Sequence, residues 1–305
     1  MNLNASDFGT IHIEVCSKCN LACVHCYRTI NEYESKNKYI EIDLFKKIID
    51  EIDCIKSKKV LQMHGIGEPT MHPSFFELLD YANKSKKFSC IFITTNLLAA
   101  APERYELFFE NGLTFINVSV DSLSLNTINK TRKGTDPEKM LVNIERITQN
   151  FHNRIQITSV VGFDNFKELD NLAKLFIDLK IKTWVIQPLI DWESFDGSKI
   201  RNNLNVLNSI KKLKEKYKDN INILTELAGK DEQQHNKCKM PFDILHINVQ
   251  GFVMPCCMYW DHNQINFGNV ADKSIYAAWN SEDFSKFRSR FYEEQPNICL
   301  NCEAY

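Results

Sequence analysis

The sequence predicts an α/β protein, in which parallel strands alternate with helices and a small cysteine-rich module follows. Three observations carry this. Short β-branched segments alternate with amphipathic stretches from residue 9 to about 219. The alternation stops near residue 222. The 11 cysteines gather at the two ends, with Cys16, Cys19, Cys23 and Cys26 in one group and Cys238, Cys256, Cys257, Cys299 and Cys302 in the other. The expected division is 1–222 for the alternating domain and 223–305 for the cysteine-rich one.

The predicted strands are 9–15, 59–65, 89–95, 114–120, 154–161 and 183–189, all rich in Val, Ile, Thr and Phe. Between them lie 41–56, 74–86, 102–111, 137–150 and 165–180. Their apolar residues recur at the three-to-four spacing that places them on one helical face. A further amphipathic stretch, 201–219, closes the layer. The segment "DILHINVQGFVMPCCMYW" reads as a β-hairpin turning at Gln250-Gly251, and a helix over 272–293 ends at "QPNIC". Two strands and a helix make too little core to stand alone, and modules of this size usually rely on a metal.

Composition narrows the function. The chain has 305 residues, 44% hydrophobic and 25% charged, with net charge −2. That balance provides no electrostatic grip on nucleic acid or an anionic membrane. No apolar run approaches the ~20 residues of a membrane-spanning helix. The N-terminus has neither a basic start nor an apolar signal core, so a cytoplasmic location is expected. Disulfides are not expected in that reducing compartment. Cys54 and Cys90, between the two groups, read as small buried residues.

Cys19, Cys23 and Cys26 form C-x3-C-x2-C directly after the first strand. Loops at the carboxyl ends of parallel strands are where such folds carry chemistry. Three thiolates suit a cubane iron–sulfur cluster with one iron left open, whereas zinc would want four ligands, with Cys16 as the fourth. The residues alone leave both open.

The stretch "CNLACVHCYR", with Tyr27 directly after the last cysteine, resembles the cluster loop of the radical S-adenosylmethionine (SAM) superfamily. The resemblance implies a partial (β/α)6 TIM-like barrel. It implies a [4Fe–4S] cluster on Cys19, Cys23 and Cys26, without Cys16, whose open iron is chelated by SAM. Reductive cleavage of SAM then yields methionine and a 5′-deoxyadenosyl radical. "HGIGEPTMHP" is similar to the family's glycine-rich motif, with Gly65, Gly67 and Glu68 in place, although Glu68 also suits a helix cap. Asn96 ends the third strand segment and "SVD", Ser119 to Asp121, the fourth, and the resemblance implies that Asn96 and Ser119 contact SAM. Arg132, or else Lys130, is implied as partner of the SAM carboxylate, against the plain alternative of a solvated loop charge. Gln187 lies in the region that flanks adenine.

The C-terminal cysteines, with Gly251 five residues before Cys256, resemble the SPASM and shorter twitch extensions of the same family. On that likeness Cys238, Cys256, Cys299 and Cys302 hold a second, auxiliary [4Fe–4S] cluster. A zinc ribbon on the same four is the alternative from residues alone. The one-cluster layout resembles that of radical SAM dehydrogenases of aminocyclitol biosynthesis. A fully ligated auxiliary cluster would serve as an electron acceptor or as a structural prop.

The implied activity is dehydrogenation of a small hydroxylated or amino-sugar-like substrate, with a flavodoxin- or ferredoxin-type reductant as partner. An epimerase or a peptide maturase is the alternative, and a non-catalytic metal or electron-transfer protein is the third, disfavoured by the glycine-rich motif. Asp191, Glu193 and Asp196 follow the sixth strand, but none is singled out as the base. Cys257 falls outside the ligand set. On a strand it would face away from the cluster, into packing or, in an epimerase, as a hydrogen-atom donor.

Overall fold

The computed structural model describes residues 8–53, 57–190, 198–225, 238–293, 296–299 and 302. Cys54, Asp191, Glu193 and Asp196 lie outside the described residues.

Six strands stand where the alternation put them: β1 Thr10–Ile13, β2 Lys59–Gln62, β3 Phe88–Thr95, β4 Phe115–Ser119, β5 Ile155–Val161 and β6 Thr183–Pro188. Each pairs in parallel with its neighbour in the chain. Three more strands extend the sheet. β7, Asn222–Thr225, adds in parallel to β6. β8, Ile244–Ile247, lies parallel to β1, and β9, Val253–Met254, returns antiparallel to β8. The order β7-β6-β5-β4-β3-β2-β1-β8-β9 is linear, with β7 and β9 at its two ends, as in a partial barrel.

Helices cover one face of this sheet for reasons visible in their sequences. Ile42–Glu51 buries Phe45, Ile48 and Ile49 at helical spacing. Pro137–Phe151 starts on Asp136, whose carboxylate accepts the Lys139 amide at 3.0 Å, with Pro137 in the first turn, and it buries Met140, Ile144 and Ile147. Ile11, Ile13, Leu61, Ile93 and Ile116 meet these helices in one continuous core. The alternate positions, among them His12, Gln62 and Phe92, point to the opposite face.

The C-terminal segment departs from expectation in two places. The helix expected over 272–293 is two helices, Ile275–Trp279 and Glu282–Glu293. Each has its own cap: Ser274 accepts from the Ala277 amide and Ser281 from the Phe284 amide, so Asn280-Ser281 ends one helix and starts the next. The hairpin turns at Gly251, with φ +88°, but β9 stops at Met254. Cys256 and Cys257 therefore sit in the turn after the strand, and strand alternation does not orient them. The hairpin draws its support from β1, and Arg288 adds to it. Its guanidinium donates to the Pro241 and Trp279 carbonyls at 2.7 and 2.6 Å and lies 3.7 Å from the Phe284 ring centroid. Cys90 is half-buried on β3.

Candidate active site

The loop after β1 is held before any cofactor is considered. The Ala22 and Val24 amides donate to the Lys133 and Thr131 carbonyls at 2.9 Å. Arg28 donates from Nε to the Ser17 carbonyl at 2.8 Å, and the Ser17 hydroxyl donates to the Ser35 carbonyl. The Leu21 amide points at the Cys19 sulfur, 3.4 Å away. Cys16 turns the other way. It is fully buried in the core, where its thiol donates to the Lys18 carbonyl.

Cys19, Cys23 and Cys26 line one cavity of about 250 Å³. Its walls include Tyr27, Gly65, Gly67, Glu68, Asn96, Ser119 and Arg132. Cys16 and Gln187 are not among the lining residues, and Gln187 sits on β6 opposite Val160. Lys130 lines the neighbouring cavity instead and stands 3.9 Å from Asp164.

The two glycines have a reason other than approach to a cofactor. A Cβ on Gly67 would lie 2.4 Å from the Cys16 carbonyl and 2.6 Å from that of Lys18, and one on Gly65 would strike Glu14. The glycine-rich loop thus packs directly on the cysteine loop. The Glu68 amide donates to the Lys18 carbonyl at 2.7 Å. The Glu68 carboxylate is buried and accepts from the Thr70 amide and hydroxyl, the Thr95 hydroxyl and the Asn96 amide. It caps the short helix Pro69–Met71, and it also ties the loop after β2 to the end of β3. Burial pushes its pKa up, against the pull of those donors. Asn96 in turn donates to Asn20 at 2.9 Å, with the Cys19 sulfur 3.7 Å away.

Arg132 is paired as well as placed. Its Nε donates to Asp121 at 2.6 Å, and Asp121 is buried, with His25 at 3.8 Å. That ion pair keeps the guanidinium on the cavity wall.

The all-thiol donor sets fit iron–sulfur clusters. Burial pushes Cys19 up to about 12 and raises Cys23, so the bare site holds thiols, and a cluster must displace their protons. In the C-terminal segment Cys238, Cys256, Cys299 and Cys302 line a second, smaller cavity, walled by Met240, Pro241, Met258 and Phe287. Burial raises Cys256 well above its ordinary value and pushes Cys299 up to about 12. Cys256 packs beside Met258, Tyr259 and Cys302, whereas Cys257 packs with Tyr27, Tyr33, Ile66 and Trp260. Cys257 thus faces away from the second cavity and toward the wall of the first.

Sequence reading passed over several residues that the fold brings here. His25 lines both the first cavity and a neighbouring one of about 370 Å³, whose walls include Val24, Ile30, Val160 and Leu189. Its place between two motif cysteines was the available signal. Glu14 accepts from the Ile66 and Val249 amides, joining the glycine-rich loop to the hairpin, and burial lifts its pKa to about 7. No local pattern marked it. The His12 ring lies tilted against those of His64, next to Gly65, and of His246.

Comparison with known proteins agrees with this geometry. The Radical SAM superfamily model matches residues 13–176. The SPASM model, an iron–sulfur cluster-binding domain, matches residues 238–303, which sets the zinc-ribbon alternative aside. The tungsten-containing aldehyde ferredoxin oxidoreductase cofactor-modifying protein of Pyrococcus furiosus is 25% identical, over 91% of this chain and 82% of its own length. GTP 3′,8-cyclase of Clostridium perfringens is 31% identical, over 68% of this chain and 64% of its own. Among solved structures, BtrN in complex with AdoMet and 2-DOIA superposes with TM-score 0.58 at 14% identity, covering 98% of this chain and 92% of BtrN. Streptococcus suis SuiB bound to S-adenosylmethionine superposes with TM-score 0.73 at 16% identity, covering 93% and 68%. At these identities the structural likenesses establish the fold. No described helix is long and apolar enough to cross a membrane. One family model spans more than half of the chain and a second covers its C-terminal cysteines, so the chain belongs to the radical SAM superfamily, carries a SPASM-type domain, and takes SAM and [4Fe–4S] clusters as cofactors.

Proposed function

We propose that this enzyme dehydrogenates a small hydroxylated or amino-sugar-like substrate and passes an electron to its auxiliary cluster. The observation that carries the reading is the second cavity, where four thiols and apolar side chains surround one space. Four thiolates saturate a cubane, so a cluster there has no open iron for substrate and is suited to accepting an electron. One residue step, Cys256 to Cys257, leads from that cavity to the Tyr27 and Ile66 wall of the first.

In the first cavity Cys19, Cys23 and Cys26 are the proposed cluster ligands. Bound there, SAM would supply a 5′-deoxyadenosyl radical to take one hydrogen atom from substrate, while the second hydrogen would leave to water as a proton and the remaining electron would pass to the auxiliary cluster. The chain's own groups hold and orient. Arg132, fixed by Asp121, offers its remaining N–H groups to the SAM carboxylate. The Gly65–Gly67 backbone and Asn96 shape the wall. His25 leads to the neighbouring cavity, whose apolar lining suits the adenine ring. The reductant is proposed to be a flavodoxin- or ferredoxin-type protein.

The placement of Cys257 favours a second reading, epimerisation, in which its thiol returns a hydrogen atom to the substrate radical. Product mass separates the two. Oxidation produces a compound two mass units lighter than substrate, one to one with 5′-deoxyadenosine, and Cys257→Ala retains turnover at a stability cost of ~1 kcal/mol. A product of substrate mass in ordinary water that becomes one unit heavier in heavy water, and that is lost on Cys257→Ala, would overturn the oxidative reading.

A further inference from the structure

Three imidazoles meet where β2, β1 and β8 lie side by side. His12 and His246 are register partners on β1 and β8, and His64 follows β2. The His12 ring centroid lies 4.6 Å from that of His64 and 5.0 Å from that of His246. His12 Nε2 is bonded to the His64 carbonyl at 2.7 Å. His64 Nδ1 and both nitrogens of His246 are buried with no hydrogen-bond partner. His246 itself is 1% exposed.

Such orphans are costly, and folded proteins rarely keep them without a use. Three in one cluster are hydrogen-bonding capacity that the protein's own groups leave unused. His64 directly precedes Gly65, which lines the first cavity, so the cluster adjoins the site of radical chemistry. Trp260 stands edge-on to His12 at 5.4 Å, and Phe92 lies 5.5 Å from His64. Trp260 is 2% exposed and donates to the Cys257 carbonyl, so a ligand would have to shift its edge to reach the nitrogens.

We propose that His12, His64 and His246 recognise the hydroxyl groups of a neutral, ring-shaped substrate, with His246 as the principal contact. This deepens the dehydrogenase reading and rests on it. Burial holds His12 down to about 4 and the other two well below the ordinary histidine value, so all three are neutral near pH 7. The rings they contact, Trp260 and Phe92, are uncharged too. A carboxylate or phosphate would be stripped of water there with no counter-charge in contact. A hydroxyl both donates and accepts, so it satisfies an imidazole in either tautomer. The flanking aromatic rings suit the C–H faces of a sugar-like ring.

The test uses the holoenzyme with both clusters, SAM and reductant, and perdeuterated myo-inositol or perdeuterated glucose as probe. Deuterium in the 5′-deoxyadenosine reports a polyol held within reach of the radical. At least one probe should label it. His246→Phe should lower labelling at least ~10-fold while iron content stays unchanged and Tm holds or rises by about 1–2 °C, because two costly nitrogens are gone. His246→Gln, with donor and acceptor restored, should recover part of the labelling. Labelling from neither polyol overturns the inference, as does wild-type labelling in His246→Phe. A large Tm loss in both variants also overturns it, by showing a structural role. Labelling that depends on His246, with polyol recovered at unchanged mass, leaves the recognition site standing and removes the dehydrogenase reading.

Discussion

A methyl group at Gly67 would lie 2.4 Å from one backbone carbonyl and 2.6 Å from another, and neither can move without shifting the cysteine loop. Gly67→Ala should therefore cost ~1–3 kcal/mol as an overpacked contact. The first cluster should suffer before the fold does: iron per chain should fall toward half while the auxiliary site stays loaded. Iron analysis beside a thermal melt checks this, and a Gly67→Ala protein with full iron would show that the two loops do not depend on each other. The motif around Gly67 was legible in the sequence; its partner was not. Glycine announces room for a close approach, but what approaches is decided by a loop some fifty residues away. Glu68 is a similar case. Its acidity and its suitability as a cap were visible, whereas its bonds to Thr95 and Asn96 depend on the ends of two neighbouring strands.

At the scale of elements, β1 is the strand on which both halves depend. It pairs with β2 on one side and β8 on the other, although β8 begins more than two hundred residues later. A chain ending at residue 225 would leave one edge of β1 bare and take Leu245, Ile247 and Trp279 out of the common core. Such a truncation should give little soluble protein, and what remains should melt well below the full chain. Soluble yield and circular dichroism measure this; a cooperative melt at the full-length Tm would show the hairpin to be dispensable. The hairpin was legible from its alternation and its Gln250-Gly251 turn. Its docking beside β1 was not, because apolar alternation shows that a strand is half-buried and leaves its neighbour open. The break at Asn280-Ser281 was missed because the apolar spacing continues across it, while the Ser281 cap interrupts the backbone.

At the scale of the molecule, two all-cysteine sites should make two separable clusters. Anaerobically purified protein is expected to hold about eight irons and eight sulfides per chain, and changing Cys19, Cys23 and Cys26 together to Ala should leave about four. Elemental analysis with sulfide determination reads both numbers. Stoichiometric zinc with little sulfide would contradict the cluster assignment at either site. The sites are joined through protein: Ser35, near the first loop, donates to the Trp260 carbonyl, and Trp260 donates to that of Cys257.

The sequence by itself determined six of the strands and the main helices between them, the two cysteine groups and the family chemistry, but not β7, Asn222–Thr225, which falls where the alternation was expected to stop. Those properties are local, since periodicity, turn residues and motif spacing all act within a few tens of residues. Tertiary structure alone decided what meets what. It buried Cys16 in the core, turned Cys257 toward Tyr27, and set Glu14 between the glycine-rich loop and the hairpin. It also assembled His12, His64 and His246 from three strands or strand ends into one cluster. A lone histidine in a strand carries no signal of its partners. Parallel pairing brings distant segments into register, and only then do the imidazoles become neighbours with a shared shortage of hydrogen bonds.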